Sequence, residues 1–155
     1  MRRRRAPKRN VKVDSKYDSL VVSNLVNIIM RDGKKSIAQK IIYDAFDIVS
    51  QRLKEDPLKA FFTALDNASP RMNVKPRRIG GATYQVPLEV TKEKGASIAI
   101  RWIKESALKK KGKPMKVKLA EEIISAFKRE GPVIKKREDT HKMAEANRAF
   151  AHFRY

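Results

Sequence analysis

The 155-residue chain contains no cysteine, which removes disulfides, thiol nucleophiles and cysteine-based zinc sites and suits a reducing cytosol. Acidic residues are scarce. Seventeen Asp and Glu, 17 against 37 Lys and Arg, leave a net charge of +20, so a compact body repels itself unless a polyanion neutralises it. Long apolar runs are also missing. The most hydrophobic stretch, Leu20 to Met30, is broken by Ser23, Asn24 and Asn27, and no segment reads as a membrane span. Arg2 to Arg5 resembles the basic start of a secretion signal, but Val11-Lys12-Val13-Asp14 follows in place of an apolar core, and no signal is expected. His141 and Glu145 lie one helical turn apart, yet such a pair leaves most of a metal's coordination positions unfilled. No nucleophile with a matching base, phosphate-cradling glycine loop or paired carboxylates stand out. The residues argue against an enzyme and require neither cofactor nor metal.

What the chain does have is cations, gathered in separate clusters. The first holds Arg2, Arg3, Arg4, Arg5, Lys8, Arg9 and Lys12 within residues 1–17, a basic arm with almost nothing to bury and expected to be disordered when free. The second flanks a glycine pair in Met72 to Val90. Gly80 and Gly81 suit the positive φ angles of a tight turn between two extended runs. Pro76 and Pro87 each lack a backbone donor, so neither run belongs in the middle of a larger sheet. A two-stranded ribbon over residues 72–90 follows, with Lys75, Arg77 and Arg78 projecting from a base that rests on a packed body. Tyr84, near the turn, either stacks on an unpaired base or packs across the ribbon. The remaining clusters are Lys109 to Lys118, including Lys110, Lys111, Lys113 and Lys116, and Lys135-Lys136-Arg137. Any one charge run is usually a solvated face, but their combination implies a broad polyanion footprint. Arginine favours bidentate phosphate contacts, which makes the arm and ribbon better candidates for specific contacts than the lysine-rich connection.

Apolar spacing supplies the body. Leu20, Val21, Leu25, Ile28 and Ile29 recur at helical period after Ser19, with Gly33 as the expected stop. Ile37, Ile41, Ile42, Ala45, Phe46, Ile48, Val49 and Leu53 form a wide stripe on a second helix. Asp56-Pro57 opens a third carrying Leu58, Phe61, Phe62 and Leu65, up to Ser69-Pro70. After the ribbon, Thr91 starts a fourth helix with Ile98, Ala99, Trp102, Ile103 and Ala107, and Trp102 is expected to pack inward with Phe46 and Ile123. A fifth carries Val117, Leu119, Ala120, Ile123, Ile124 and Phe127, ended by Gly131-Pro132, and a sixth runs from about Lys135 to Phe150. Residues 150–155, with Phe150, His152, Phe153 and Tyr155, form an aromatic tail suited to docking. The expected fold is mainly α, one domain over 1–155: a six-helix bundle with a protruding antiparallel β-ribbon, a basic arm and a C-terminal tail.

The run Arg77-Arg78-Ile79-Gly80-Gly81-Ala82-Thr83-Tyr84-Gln85-Val86-Pro87, together with Asp32-Gly33-Lys34-Lys35-Ser36 and the segment from Lys135 to His152, closely resembles the bacterial small-subunit ribosomal protein seven family. The resemblance covers essentially the whole chain. It implies a primary binder of the 3′ major domain of small-subunit ribosomal RNA that nucleates assembly of the subunit head. It also implies that the ribbon tip, with Arg77, Arg78, Gly80, Gly81 and Tyr84, lies near exit-site transfer RNA and messenger RNA. Arg2 to Arg5, Lys34 and Lys35 would meet ribosomal RNA, and the tail would meet neighbouring head and platform proteins, with small-subunit proteins nine and eleven as the expected neighbours. The competing reading is a DNA-architectural protein whose ribbon enters the minor groove. An RNA-processing enzyme is a third.

Overall fold

A computed structural model describes residues 12–154. The basic residues Arg2, Arg3, Arg4, Arg5, Lys8 and Arg9 lie outside the described residues, as does Tyr155. Six α-helices form the body: α1 (Leu20–Ile29), α2 (Lys35–Leu53), α3 (Pro57–Ala68), α4 (Lys92–Lys109), α5 (Met115–Phe127) and α6 (Pro132–Ala146). Strands β1 (Met72–Ile79) and β2 (Ala82–Glu89) separate α3 from α4, and a 3₁₀ segment, Arg148–Arg154, follows α6.

The helical stripes read from the sequence converge on α5, which packs against α2, α3 and α4. Ile42, Phe46 and Val49 of α2, Phe61 and Leu65 of α3, Ile100 and Ile103 of α4, and Leu119 and Ile123 of α5 are buried in this core. Phe46 and Phe61 meet at its centre with ring centroids 5.3 Å apart. Trp102 differs from expectation. It is only half-buried, packed on the edge of the core, and the Lys136 ammonium lies over its ring at 5.4 Å. One face of the indole thus serves the core while the other accepts a cation.

Helix ends follow their local chemistry. Asp56 accepts from the Leu58 N–H at 3.3 Å, with Pro57 in the first turn of α3. Helix α1 ends at Ile29, ahead of the expected glycine; Asp32 and Gly33, at φ 52° and 72°, turn the chain into α2. Gly131 opens α6 at φ 90° rather than only closing α5, and Asn147 ends α6 before Phe150, with its Nδ2 donating to the Met143 carbonyl at 2.8 Å.

Residues 12–17, expected to belong to the basic arm, pack against the body instead. Asp14 is buried and accepts from Tyr43 Oη at 2.9 and 3.0 Å and from the N–H groups of Lys16 and Tyr17 at 3.2 Å. Ser23 Oγ donates to the Lys12 carbonyl at 2.7 Å, and the Tyr17 ring meets Phe46 at 5.3 Å. Residues 12–17 therefore belong to the body, because Asp14 and Tyr17 find partners on α2 that only the fold brings near.

Candidate nucleic-acid interface

The ribbon pairs Met72 with Glu89 and continues in register to Ile79 with Ala82, leaving a two-residue turn. Gly80 and Gly81 occupy it at φ 55° and 92°, the double positive-φ geometry that matches the twist of a hairpin and that a Cβ opposes. Val86 and Pro87 are buried where the ribbon base meets α6 and the 3₁₀ segment, whereas Lys75, Arg77 and Arg78 are exposed.

Tyr84 sits opposite Arg77, behind the turn. Its ring packs against Phe150 at 5.0 Å and Phe153 at 5.7 Å, within the range of favourable aromatic pairs. The aromatic tail thus clasps the ribbon through β2. Tyr84 is consequently a half-buried anchor in this arrangement, and the clasp stiffens the stem that carries the exposed arginines.

Lys34 and Lys35 are exposed at the start of α2. Their charges face the positive end of the helix dipole, with no acidic residue in the first turn to offset them. Lys34 also lines a hollow of about 350 Å³ with Arg31, Lys104 and Lys118, a grouping of cations from two helices and the α1–α2 loop that sequence spacing does not show. The Lys104 ammonium donates to the Ile28 carbonyl, which fixes it against α1.

The lysine-rich connection between α4 and α5 is internally compensated. Lys113 reaches Glu121 at 2.5 Å, Lys116 reaches Asp44 at 3.1 Å, and Lys110 lies 3.2 Å from Glu121 and 2.8 Å from Glu122. Glu122 is buried, and although Lys110 is close, neither carboxylate oxygen receives a well-directed hydrogen bond. Burial opposes the charge on Lys110, but the two glutamates outweigh it and its pKa is raised. A hydrogen bond from Lys113 holds the Glu121 carboxyl below its ordinary range. Lys111 is exposed and makes no ion pair among the described residues.

His141 is not paired with Glu145. Its Nε2 accepts the Arg71 backbone N–H at 3.0 Å, which places the ring proton on Nδ1 and ties α6 to the foot of β1. Among the described residues no group of three or more His, Asp or Glu gathers to hold a metal, and no helix is long and apolar enough to cross a membrane.

The geometry is that of a helical scaffold carrying a cation-tipped ribbon, with exposed cations at the ribbon and at the start of α2. Residues 1–148 match the family model for ribosomal protein S7p/S5e, and the chain belongs to that family. Over all 155 residues, and the full length of each relative, it is 57% identical to the small ribosomal subunit protein uS7 of Thermotoga neapolitana and 58% identical to that of Fervidobacterium nodosum. The corresponding protein of Thermodesulfovibrio yellowstonii is 54% identical over 154 residues, covering 99% of both chains. Family membership makes the chain a ribosomal protein rather than an enzyme.

Proposed function

We propose that this chain is a cytoplasmic structural constituent of the small ribosomal subunit that binds the 3′ major domain of ribosomal RNA and nucleates assembly of the head. The observation that carries this reading is the exposed pair Arg77 and Arg78 on a ribbon clasped at Tyr84, on a chain of net charge +20 that belongs to a ribosomal family. A stiff stem lets the tip reach a ligand that the helical body does not touch, and exit-site transfer RNA with messenger RNA is the proposed neighbour. The residues of the basic arm, with Lys34, Lys35 and Lys111, supply ribosomal RNA contacts, whereas the internal pairing of Lys110, Lys113 and Lys116 reduces their share. Neighbouring head and platform proteins, nine and eleven among them, meet the outer surface near the tail.

The test separates anchoring from the tip's role. Replacing residues 78–83 by Asn-Gly shortens the ribbon but keeps the Arg77 and Tyr84 pair, and with it the aromatic clasp. Affinity for isolated ribosomal RNA at fixed salt is expected to stay near wild type, while transfer RNA dissociates faster from the exit site of reconstituted subunits. Collapse of RNA affinity with unchanged dissociation would make the ribbon an assembly anchor instead.

A further inference from the structure

The corner where α3, the α5–α6 turn and the foot of β1 meet holds a second concentration of charge, which joins Arg137 of the Lys135-Lys136-Arg137 cluster to Arg71 and Arg129, two cations outside the clusters read from the sequence. Arg71, Arg129 and Arg137 line a polar hollow of about 410 Å³ together with Asn67 and His141, and Asp66 is the carboxylate among its lining residues. Asn67 organises it. Its Nδ2 donates to the carbonyls of Ala126 and Phe127, each at 3.1 Å, which fixes the side chain to the C-terminal end of α5. Its Oδ1 accepts from Arg129 Nε at 3.3 Å, and its backbone carbonyl accepts from Arg137 Nη1. One residue thereby orients two guanidiniums.

The hollow is only partly compensated: Asp66 lines it, but among the described residues none of the three arginines forms an ion pair with that carboxylate. Arg129 and the Arg71 side chain have no carboxylate partner among the described residues, and Arg137 reaches only Glu138, at 3.8 Å. Arg137 Nε is buried and receives no acceptor. Arg129 is held at φ 60°, a conformation that costs energy for a residue with a Cβ. This contrasts with Lys110, Lys113 and Lys116, whose charges the protein itself satisfies. The proton affinity of His141 falls through burial and then through the fields of Arg137 and Arg71, in keeping with a positive potential at this corner. Guanidiniums converging on one space are suited to a tetrahedral oxyanion, because each planar fork can address two oxygens at once.

We propose that the Arg71, Arg129 and Arg137 hollow is a phosphate site that takes one phosphodiester group of the bound RNA, with Asn67 as the positioning residue. The proposal rests on the RNA-binding reading given above. It assigns a localised contact to residues other than those of the ribbon tip and the start of α2.

The full-length protein tests it in two arms. In the first, inorganic phosphate is titrated while the Nε–H resonances of Arg129 and Arg137 are followed. Saturable shifts at these two, larger than at Arg52 or Arg101, are expected; their absence would overturn the site. In the second, affinity for a 3′-domain ribosomal RNA fragment is measured against salt for Arg129→Gln, for R129Q/R137Q, and for the charge-matched K128Q/K135Q on the same corner. Arg129 is exposed, so its variant keeps the test valid if Arg137→Gln impairs folding. The arginine variants should lose about 10- to 100-fold in affinity, with a log–log slope shallower by about one unit or less, and the lysine control clearly less. Equal losses in both sets would mean that net charge alone operates and would overturn the site. Phosphate shifts without tight RNA binding by the wild type would retain the site and remove the RNA reading.

Discussion

The backbone N–H of Arg71 donates to Nε2 of His141 across 70 positions of sequence, so the foot of the ribbon is fastened to α6 by an imidazole that must be neutral to accept. Burial and the positive charges of Arg137 and Arg71 hold that imidazole's pKa below its ordinary value of 6.5. The unfolded chain therefore binds more protons at His141 than the folded chain in the interval beneath 6.5. Stability from this group is complete above that value and is lost as pH falls toward the lower folded pKa. Thermal unfolding from about pH 7 to pH 5 should show a steeper fall in Tm for the wild type than for His141→Gln, which cannot titrate. Equal slopes would contradict this role.

The buried Glu122 depends on Lys110, 2.8 Å away. Lys110→Met should strand a carboxylate in the core, costing less than the about 3–5 kcal/mol typical of a broken buried pair, because the lysine keeps partial contact with solvent. Adding Glu122→Leu should recover most of the loss. A denaturant-unfolding cycle over the four proteins checks this, and additive losses would show that the pair is not coupled.

Removing the aromatic clasp should free the ribbon without unfolding the body. Phe153→Ala deletes the contact 5.7 Å from Tyr84 and leaves the core built around Phe46 untouched. The loss of an aromatic pair, about 0.5–1.5 kcal/mol, corresponds to amide exchange roughly 2- to 10-fold faster in β2. Exchange rates at Tyr84 and Gln85 that stay at wild-type values would show that the tail does not restrain the ribbon.

Lys34 and Lys35 oppose the dipole of α2, which suggests charge retained for a ligand at a cost to the helix. The double variant K34Q/K35Q should gain up to about 1 kcal/mol in unfolding free energy while its ribosomal RNA affinity falls. Unchanged RNA affinity in a stabilised variant would remove these lysines from the interface.

The helices and ribbon were legible because their signals are local: period 3.6 in Ile42, Phe46 and Val49, Asp56-Pro57 at a helix start, and Gly80-Gly81 between extended runs. Some boundaries were less so, since Lys54 and Arg129 take left-handed φ angles of 57° and 60° that sequence rules reserve for glycine. Tertiary partners were not legible at all. Asp14 finds Tyr43 at a separation of 29 residues, and Asn67 reaches the end of α5 over about as many as 60, so neither leaves a short-range pattern. Glu122, an acid next to Glu121 in sequence, is buried, and no local pattern signals it. Trp102 shows the converse error, an apolar residue at a core-like spacing whose helix leaves one of its faces to Lys136.

The central claim is that this chain recognises structured ribosomal RNA and is not merely a cation that adheres to any polyanion. The direct measurement is competition between a 3′-domain ribosomal RNA fragment and duplex DNA of equal length, with affinities taken at several matched salt concentrations. Charge alone predicts similar affinities and similar salt slopes for the two. The account predicts that the RNA binds more tightly and that its preference persists as salt rises, because shape and positioned arginines contribute beyond counterion release. Equal affinities that fall together, or a preference for the duplex, would contradict it.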